Sequence, residues 1–174
     1  MSAPQEPEPV MLIMGVLHTA RHTAATVTAD LEAVFGPLRA ATAPAAFDFT
    51  DYYEPEMGPA LTRWYCAFRA LVSPGELAAI KLRTNALEQA SMEHGRRTLN
   101  LDPGLLTPHS LILASCKNFS HRVYLRDGIY AEVTLLVRGG HLDELPWTYP
   151  DYRQATVRVF FDEQRATFLH ERRH

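Results

Sequence analysis

Apolar residues enter this chain in two rhythms. Val10 to Leu17 is a continuous apolar run containing one glycine, the pattern of a buried strand. From Thr19 to Phe35 the spacing lengthens: Val27, Leu31 and Val34 recur at i, i+4 and i+7. That predicts a helix with this stripe toward the core, stopped by Gly36-Pro37. Residues 38–43 read as a short second strand, and Asp48 to Gly58 as a loop rich in Asp, Tyr and Glu. Leu61 to Leu71 returns to alternation, with Trp64, Cys66 and Phe68 against Arg63, Tyr65 and Arg69, and reads as a third strand.

Ser73-Pro74-Gly75-Glu76 is a capping box with proline in its first turn, so a second helix starts here. Leu77, Ile80, Thr84 and Leu87 mark its inner face, and Gly95 is its expected stop. Thr98 to Asp102 reads as a fourth strand, ended by Pro103-Gly104. The order strand, helix, strand, strand, helix, strand is that of a ferredoxin-like split β-α-β core. Right-handed crossovers would place both helices on one face of an antiparallel sheet.

The remainder extends that core. Thr107-Pro108 is expected to open a short helix. Arg122 to Leu125 and Ile129 to Val137 flank Asp127-Gly128, a hairpin signal, and Gly139-Gly140 leads into a further strand. Pro146 to Asp151 reads as a rigid aromatic loop. Ala155 to Arg172 reads as a final helix with Val159, Phe160 and Leu169 inward. The expected class is α+β, with the ferredoxin-like core extended by a C-terminal β-hairpin and helix. One domain covers residues 9–174, behind a Pro- and Glu-rich disordered leader over 1–8.

Composition narrows the function. Apolar residues make up 47% of 174, enough for a sizeable core. The net charge of -3, with no basic stripe, argues against a nucleic-acid partner. Cys66 and Cys116 match no zinc or redox spacing and read as reduced thiols of a cytoplasmic protein. The apolar start follows an acidic leader with no basic region, and no run approaches a membrane span of about 20 residues.

Five short motifs in one order carry a resemblance. They are Phe47 to Tyr53 (FDFTDYY), Asn100 to Gly104 (NLDPG), Lys117 to Tyr124 (KNFSHRVY), Gly128 to Leu135 (GIYAEVTL) and Pro146 to Tyr152 (PWTYPDY). From about residue 10 to 165 the chain resembles one bacterial family of domains of unknown function, number 4416. Members are sometimes labelled GTP-binding. The residues give that label little support, because no Gly-x-x-x-x-Gly-Lys-Ser/Thr loop is present to cradle phosphates.

The candidate chemistry is a block of polar residues set in strand-like sequence. Asn100 and Asp102, two apart on a strand, share a face. Asp102 then suits a general base or metal ligand, or merely caps the turn after it. Lys117 and Arg122 supply charge suited to phosphate or carboxylate, and Ser120 and His121 lie between them. A two-residue Asp127-Gly128 turn would set Val123 opposite Glu132 and His121 opposite Thr134. Glu132 would then orient one ring nitrogen of His121. The bland alternative is a structural salt-bridge network around Glu132. Asp48 and Asp51 sit in an acidic aromatic loop that could hold a divalent cation. Lys81, Asn85 and Glu88 form a polar stripe on the second helix, read as a solvated face. Trp147 is expected to seal the core, with Tyr149 and Asp151 left open. His18 and His22 read as two exposed histidines.

The leading expectation is a domain that binds a small anionic, phosphorylated molecule, a nucleotide being one form. Asp102, His121 and Glu132 are the catalytic candidates. Asn100, Lys117, Ser120, Arg122, Thr134 and Tyr149 are the ligand-binding candidates. Asp51 and Asp102 are the metal candidates, a divalent cation being the one cofactor considered. The rivals are a metal-dependent hydrolase or transferase, with Asp51, Asp102 and His121 as ligands, and a non-enzymatic interaction module. Whether the chain is an enzyme stays open. The expected partner is the small ligand, not a membrane.

Overall fold

The apolar run at Val10 becomes an interior strand of a wide sheet. A computed structural model describes residues 3–173. In chain order the elements are β1 (Val10–His18), α1 (Ala24–Phe35), β2 (Leu38–Ala41), β3 (Ala45–Ala46), α2 (Glu54–Met57), β4 (Thr62–Val72), a 3-10 turn (Pro74–Glu76), α3 (Leu77–Ala90), β5 (Leu99–Leu106), β6 (Ser110–Ser115), β7 (Val123–Arg126), β8 (Ile129–Arg138), β9 (His141–Glu144) and α4 (Ala155–Glu171). The strand order is β2-β4-β1-β5-β6-β8-β7, with β3 beside β4 and β9 beside β8. Every pairing in the sheet is antiparallel. Among the described residues this is a mixed α+β fold with one large antiparallel sheet and four α-helices. None of those helices is long and apolar enough to cross a membrane. Residues 3–8 of the expected leader carry no regular structure, and Met1, Ser2 and His174 lie outside the described residues.

β1 is buried at every position because it is covered on both faces. Leu12, Met14 and Val16 pack with Trp64, Cys66 and Phe68 beneath α1 and α3. Met11 and Ile13 pack with Tyr65 and with Phe161 and Phe168 of α4 on the other side. The alternation read in β4 therefore separates two cores rather than a core from solvent.

Several expectations are corrected. α1 begins at Ala24, not Thr19, because Thr23 caps it: its hydroxyl accepts from the Thr26 amide at 3.1 Å while its own amide donates to Thr26 at 3.0 Å. Val34 is exposed. Thr107-Pro108 opens no helix; the Thr107 hydroxyl accepts from the Ser110 amide and closes a turn into β6. In α4 the buried stripe is Val157, Phe160, Phe161 and Phe168, while Val159 is 54% exposed. Asp127 and Gly128 take positive φ (54° and 76°), as a type I′ turn needs. An irregularity between Tyr124 and Arg126 then shifts the register by one, so Val123 faces Ala131 rather than Glu132.

Pro103-Gly104 does not end β5, which runs on to Leu106. Asp102 is therefore a mid-strand residue.

Candidate functional site

β5 and β6 pair only from Gly104 opposite Leu113 to Leu106 opposite Leu111. Continued pairing would set Asp102 against Ser115, and it does not occur. Pro103 has no amide to donate on that edge. The Leu101 amide, on the same edge, donates instead to Glu88 of α3 at 2.7 Å, and the Leu101 carbonyl accepts from Lys81 at 2.7 Å. At Gly104 the strands are as close as glycine allows, since a Cβ there would lie 2.5 Å from the Ile112 carbonyl oxygen. The sheet therefore zips up to Gly104 and parts beyond it. The parting forms a cleft of about 780 Å³. Its walls are α3, β5, the diverging ends of β6 and β8, and residues 149–152, with segment 47–56 across the mouth.

The floor is an ion cluster around Arg63 of β4. Arg63 Nη1 donates to Asp102 Oδ2 at 2.9 Å, while Nε donates to the Tyr65 hydroxyl at 3.2 Å and lies 2.9 Å from Asp151 Oδ2 as an ion pair. The Tyr65 hydroxyl donates to the same Asp151 oxygen at 2.7 Å, and Asn100 Nδ2 to Asp102 Oδ2 at 3.1 Å. Gly15 makes room for this: a Cβ there would lie 2.5 Å from the Tyr152 hydroxyl and 2.8 Å from Arg63 Nη2. Burial works against the Arg63 cation, but Tyr65, Asp151 and Asp102 outweigh it and hold its pKa well above normal. Burial likewise works against the Asp102 carboxylate. Arg63, Lys81 and Asn100 prevail and hold its pKa below the usual carboxylate range. Burial drives the Tyr65 and Tyr152 phenols upward.

A second cluster forms the wall at Glu132. Arg122 Nε donates to Glu132 Oε2 at 2.7 Å, and His121 Nε2 lies 2.9 Å from the same oxygen. The Thr134 hydroxyl donates to Oε1 at 3.3 Å. The other Arg122 nitrogens bond the Ser115 hydroxyl (3.1 Å), the Lys117 carbonyl (2.9 Å) and the Tyr149 hydroxyl (2.6 Å). Burial pushes the Tyr149 phenol up to about 12, with Glu132 adding and Arg122 opposing.

The mouth is held by Arg97, which grips Glu56 of α2 through two bonds of 2.7 and 2.6 Å and reaches Asn100 at 2.8 Å. The hydrogen bond from Arg97 is the main reason that the Glu56 carboxyl is held below its usual range. Lys117 contacts the Tyr52 hydroxyl, with its ammonium 4.8 Å from the Tyr52 ring centre.

The cleft thus gathers Asn100, Asp102, Lys117, Arg122, Glu132 and Tyr149. It does not gather the other expected residues. His121 turns away and stacks on Trp147, ring centres 4.9 Å apart. Thr134 is buried behind Glu132, and Ser120 and Asp51 are exposed outside the cleft lining. The His121–Glu132 contact comes from the turn before β7, not from the strand register expected for it. Trp147 does not seal the core: it is 38% exposed and donates to the Val133 carbonyl, whereas Tyr152 is fully buried. Lys81 and Glu88 are not solvated but buried, because the parted edge of β5 supplies the groups that they bond. His18 is buried as the last residue of β1, with Nδ1 2.9 Å from the Thr19 carbonyl. Arg63 and Lys81 escaped the sequence reading as site residues. The available signal was a cation placed in, or four residues from, a core-forming stripe. Among the described residues, no group of three or more His, Cys, Asp and Glu side chains is placed to hold a metal, and Asp51 and Asp102 are not brought together in the cleft.

The model of the family described as "Domain of unknown function (DUF4416)" matches residues 8–168, and the chain belongs to that family. Comparisons with curated proteins and with solved structures gave no match.

Proposed function

For this DUF4416 member we propose that the cleft binds a small anionic molecule, a phosphorylated one first, with Lys117 as its anchor. One observation carries this reading. Among the described residues, Arg63, Lys81, Arg97 and Arg122 at the cleft each have a carboxylate within salt-bridge distance, whereas Lys117 has none that close and acts on Glu56 only at longer range. An exposed ammonium at the mouth, beside the exposed rings of Phe49 and Tyr52, suits a phosphate attached to an apolar or flat body. The volume falls within the roughly 300–1,000 Å³ usual for small-ligand pockets. Binding fits better than acid–base catalysis, because a general base works best with a pKa near the operating pH and Asp102 is held far below it. We also read β1 to β5 as a ferredoxin-like split unit, since the order β2-β4-β1-β5 and the shared face of α1 and α3 are what that arrangement asks for. The exposed free thiol of Cys116 suits a reducing, cytoplasmic setting.

The test is a thermal-shift screen of phosphorylated small molecules, nucleotides included. A ligand at 100 times its Kd adds about 2.7 kcal/mol, which moves Tm by roughly 5 to 10 °C. Lys117→Ala should leave the unliganded Tm within about 1 °C, since the exposed side chain supports little, and remove the shift. A screen without any shift, or a shift that survives Lys117→Ala, rejects the reading.

A further inference from the structure

The cleft does not suit an anion throughout, because its floor carries the opposite sign. Arg63 is one guanidinium shared by two carboxylates, so Arg63, Asp102 and Asp151 together have a formal charge of -1. Both carboxylates use Oδ2 for Arg63. Neither Oδ1 has a protein donor among the described residues, although both side chains line the cleft and Asp151 is only 6% exposed. Neither oxygen is sealed from solvent, so each can accept a hydrogen bond from a molecule in the cleft. Lys81 acts on Asp102 through its charge, but its ammonium donates to the Leu101 carbonyl and pairs with Glu88 rather than with either Oδ1.

We infer that the cleft takes a two-ended ligand, with a cationic or hydrogen-bond-donating head on the Oδ1 oxygens of Asp102 and Asp151 and its anionic end at Lys117. The chemical class is an amine- or amidine-bearing phosphate. This rests on the anion reading of Lys117 and adds polarity to it. The floor rejects a phosphate entering first and accepts an N–H group. The mouth does the reverse. A charge-assisted bond from such a head is worth about tenfold or more in affinity.

The experiment uses the full chain and calorimetric titration with ω-aminoalkylphosphonates of two to six carbons, matched alkylphosphonates, alkylamines and magnesium alone. The expected result is that one aminoalkylphosphonate binds at least about tenfold tighter than its amine-free partner. Asp102→Asn should erase that ratio while Lys117→Ala weakens both phosphonates. The ratio on the unaltered chain decides the matter even where Asp102→Asn fails to fold. Equal binding of the amine-free compound, still lost in Lys117→Ala, overturns this inference and leaves the anion reading standing. Failure of every phosphonate overturns both. Magnesium binding that Asp102→Asn abolishes, with no preference for the amine, overturns it in favour of a cation at the floor.

Discussion

Two ion clusters line the cleft, one around Arg63 of β4 and one around Glu132 of β8, and they are built in opposite ways. At Glu132 one carboxylate is met by Arg122, His121 and Thr134, so both of its oxygens have partners. At Arg63 one cation is met by two carboxylates, and among the described residues an oxygen on each has no donor. The first cluster is complete without a ligand and acts as scaffold, holding Arg122 against Tyr149 and the Lys117 backbone. The second is incomplete and faces the cleft. Charge inside the fold is therefore not itself a sign of a site. Unmatched hydrogen-bonding capacity at a solvent-reachable wall is the better guide.

The largest test of this contrast is Glu132→Gln. Removing the charge of the buried Glu132 leaves the partly buried Arg122 guanidinium without its carboxylate, with an expected loss of about 3–5 kcal/mol in urea unfolding. A loss under about 1 kcal/mol would break the comparison, because the cluster would then not be scaffold. Next is Gly15→Ala. Its Cβ must displace the Tyr152 hydroxyl or Arg63, at an expected cost of about 1–3 kcal/mol.

Asp102→Asn should cost less than Glu132→Gln, about 1–2 kcal/mol, because Asp151 still pairs Arg63. Its pH dependence has a definite sign. The Asp102 carboxyl is lower in the folded chain than its ordinary value of 3.8, so its contribution is fully present above that value. The contribution is lost as pH falls through the folded value. Melting curves of the two proteins should therefore differ by a constant amount from pH 7 down to about 5 and converge in stronger acid. A gap that widens on acidification would contradict the pairing. Smallest is Glu56→Gln at the mouth: the half-exposed pair with Arg97 should be worth under about 1 kcal/mol, and less in high salt.

Parts of both fold and site were legible in the sequence, and the division follows the range of the forces. The Glu76 carboxylate accepts the Ser73 amide at 3.3 Å, and Asp127-Gly128 turns the chain, because such signals act within four residues. Asn100, Asp102, Lys117, Arg122 and Glu132 stand out as polar residues in core-forming sequence and Tyr149 as a member of an aromatic loop, and all six line one cleft. Lys81 and Glu88 were read as a solvated stripe, since helical spacing tells which residues share a face but not what that face meets. Val159 was placed inward for the same reason, as two readings of one helical wheel differ by a single position. His121 was assigned to the site through a strand register that a bulge one residue long was enough to move.

By itself the sequence determined most of the strands and helices, though not β3, α2 or β6, together with most of their boundaries, the hairpin turn and the polar block, because each depends on neighbours along the chain. Tertiary structure alone decided that β5 and β6 part at Pro103, that Glu132 is satisfied and that Asp102 and Asp151 share one arginine. Those outcomes depend on which groups far apart in the chain compete for the same hydrogen bonds, and that competition exists only once the sheet has closed.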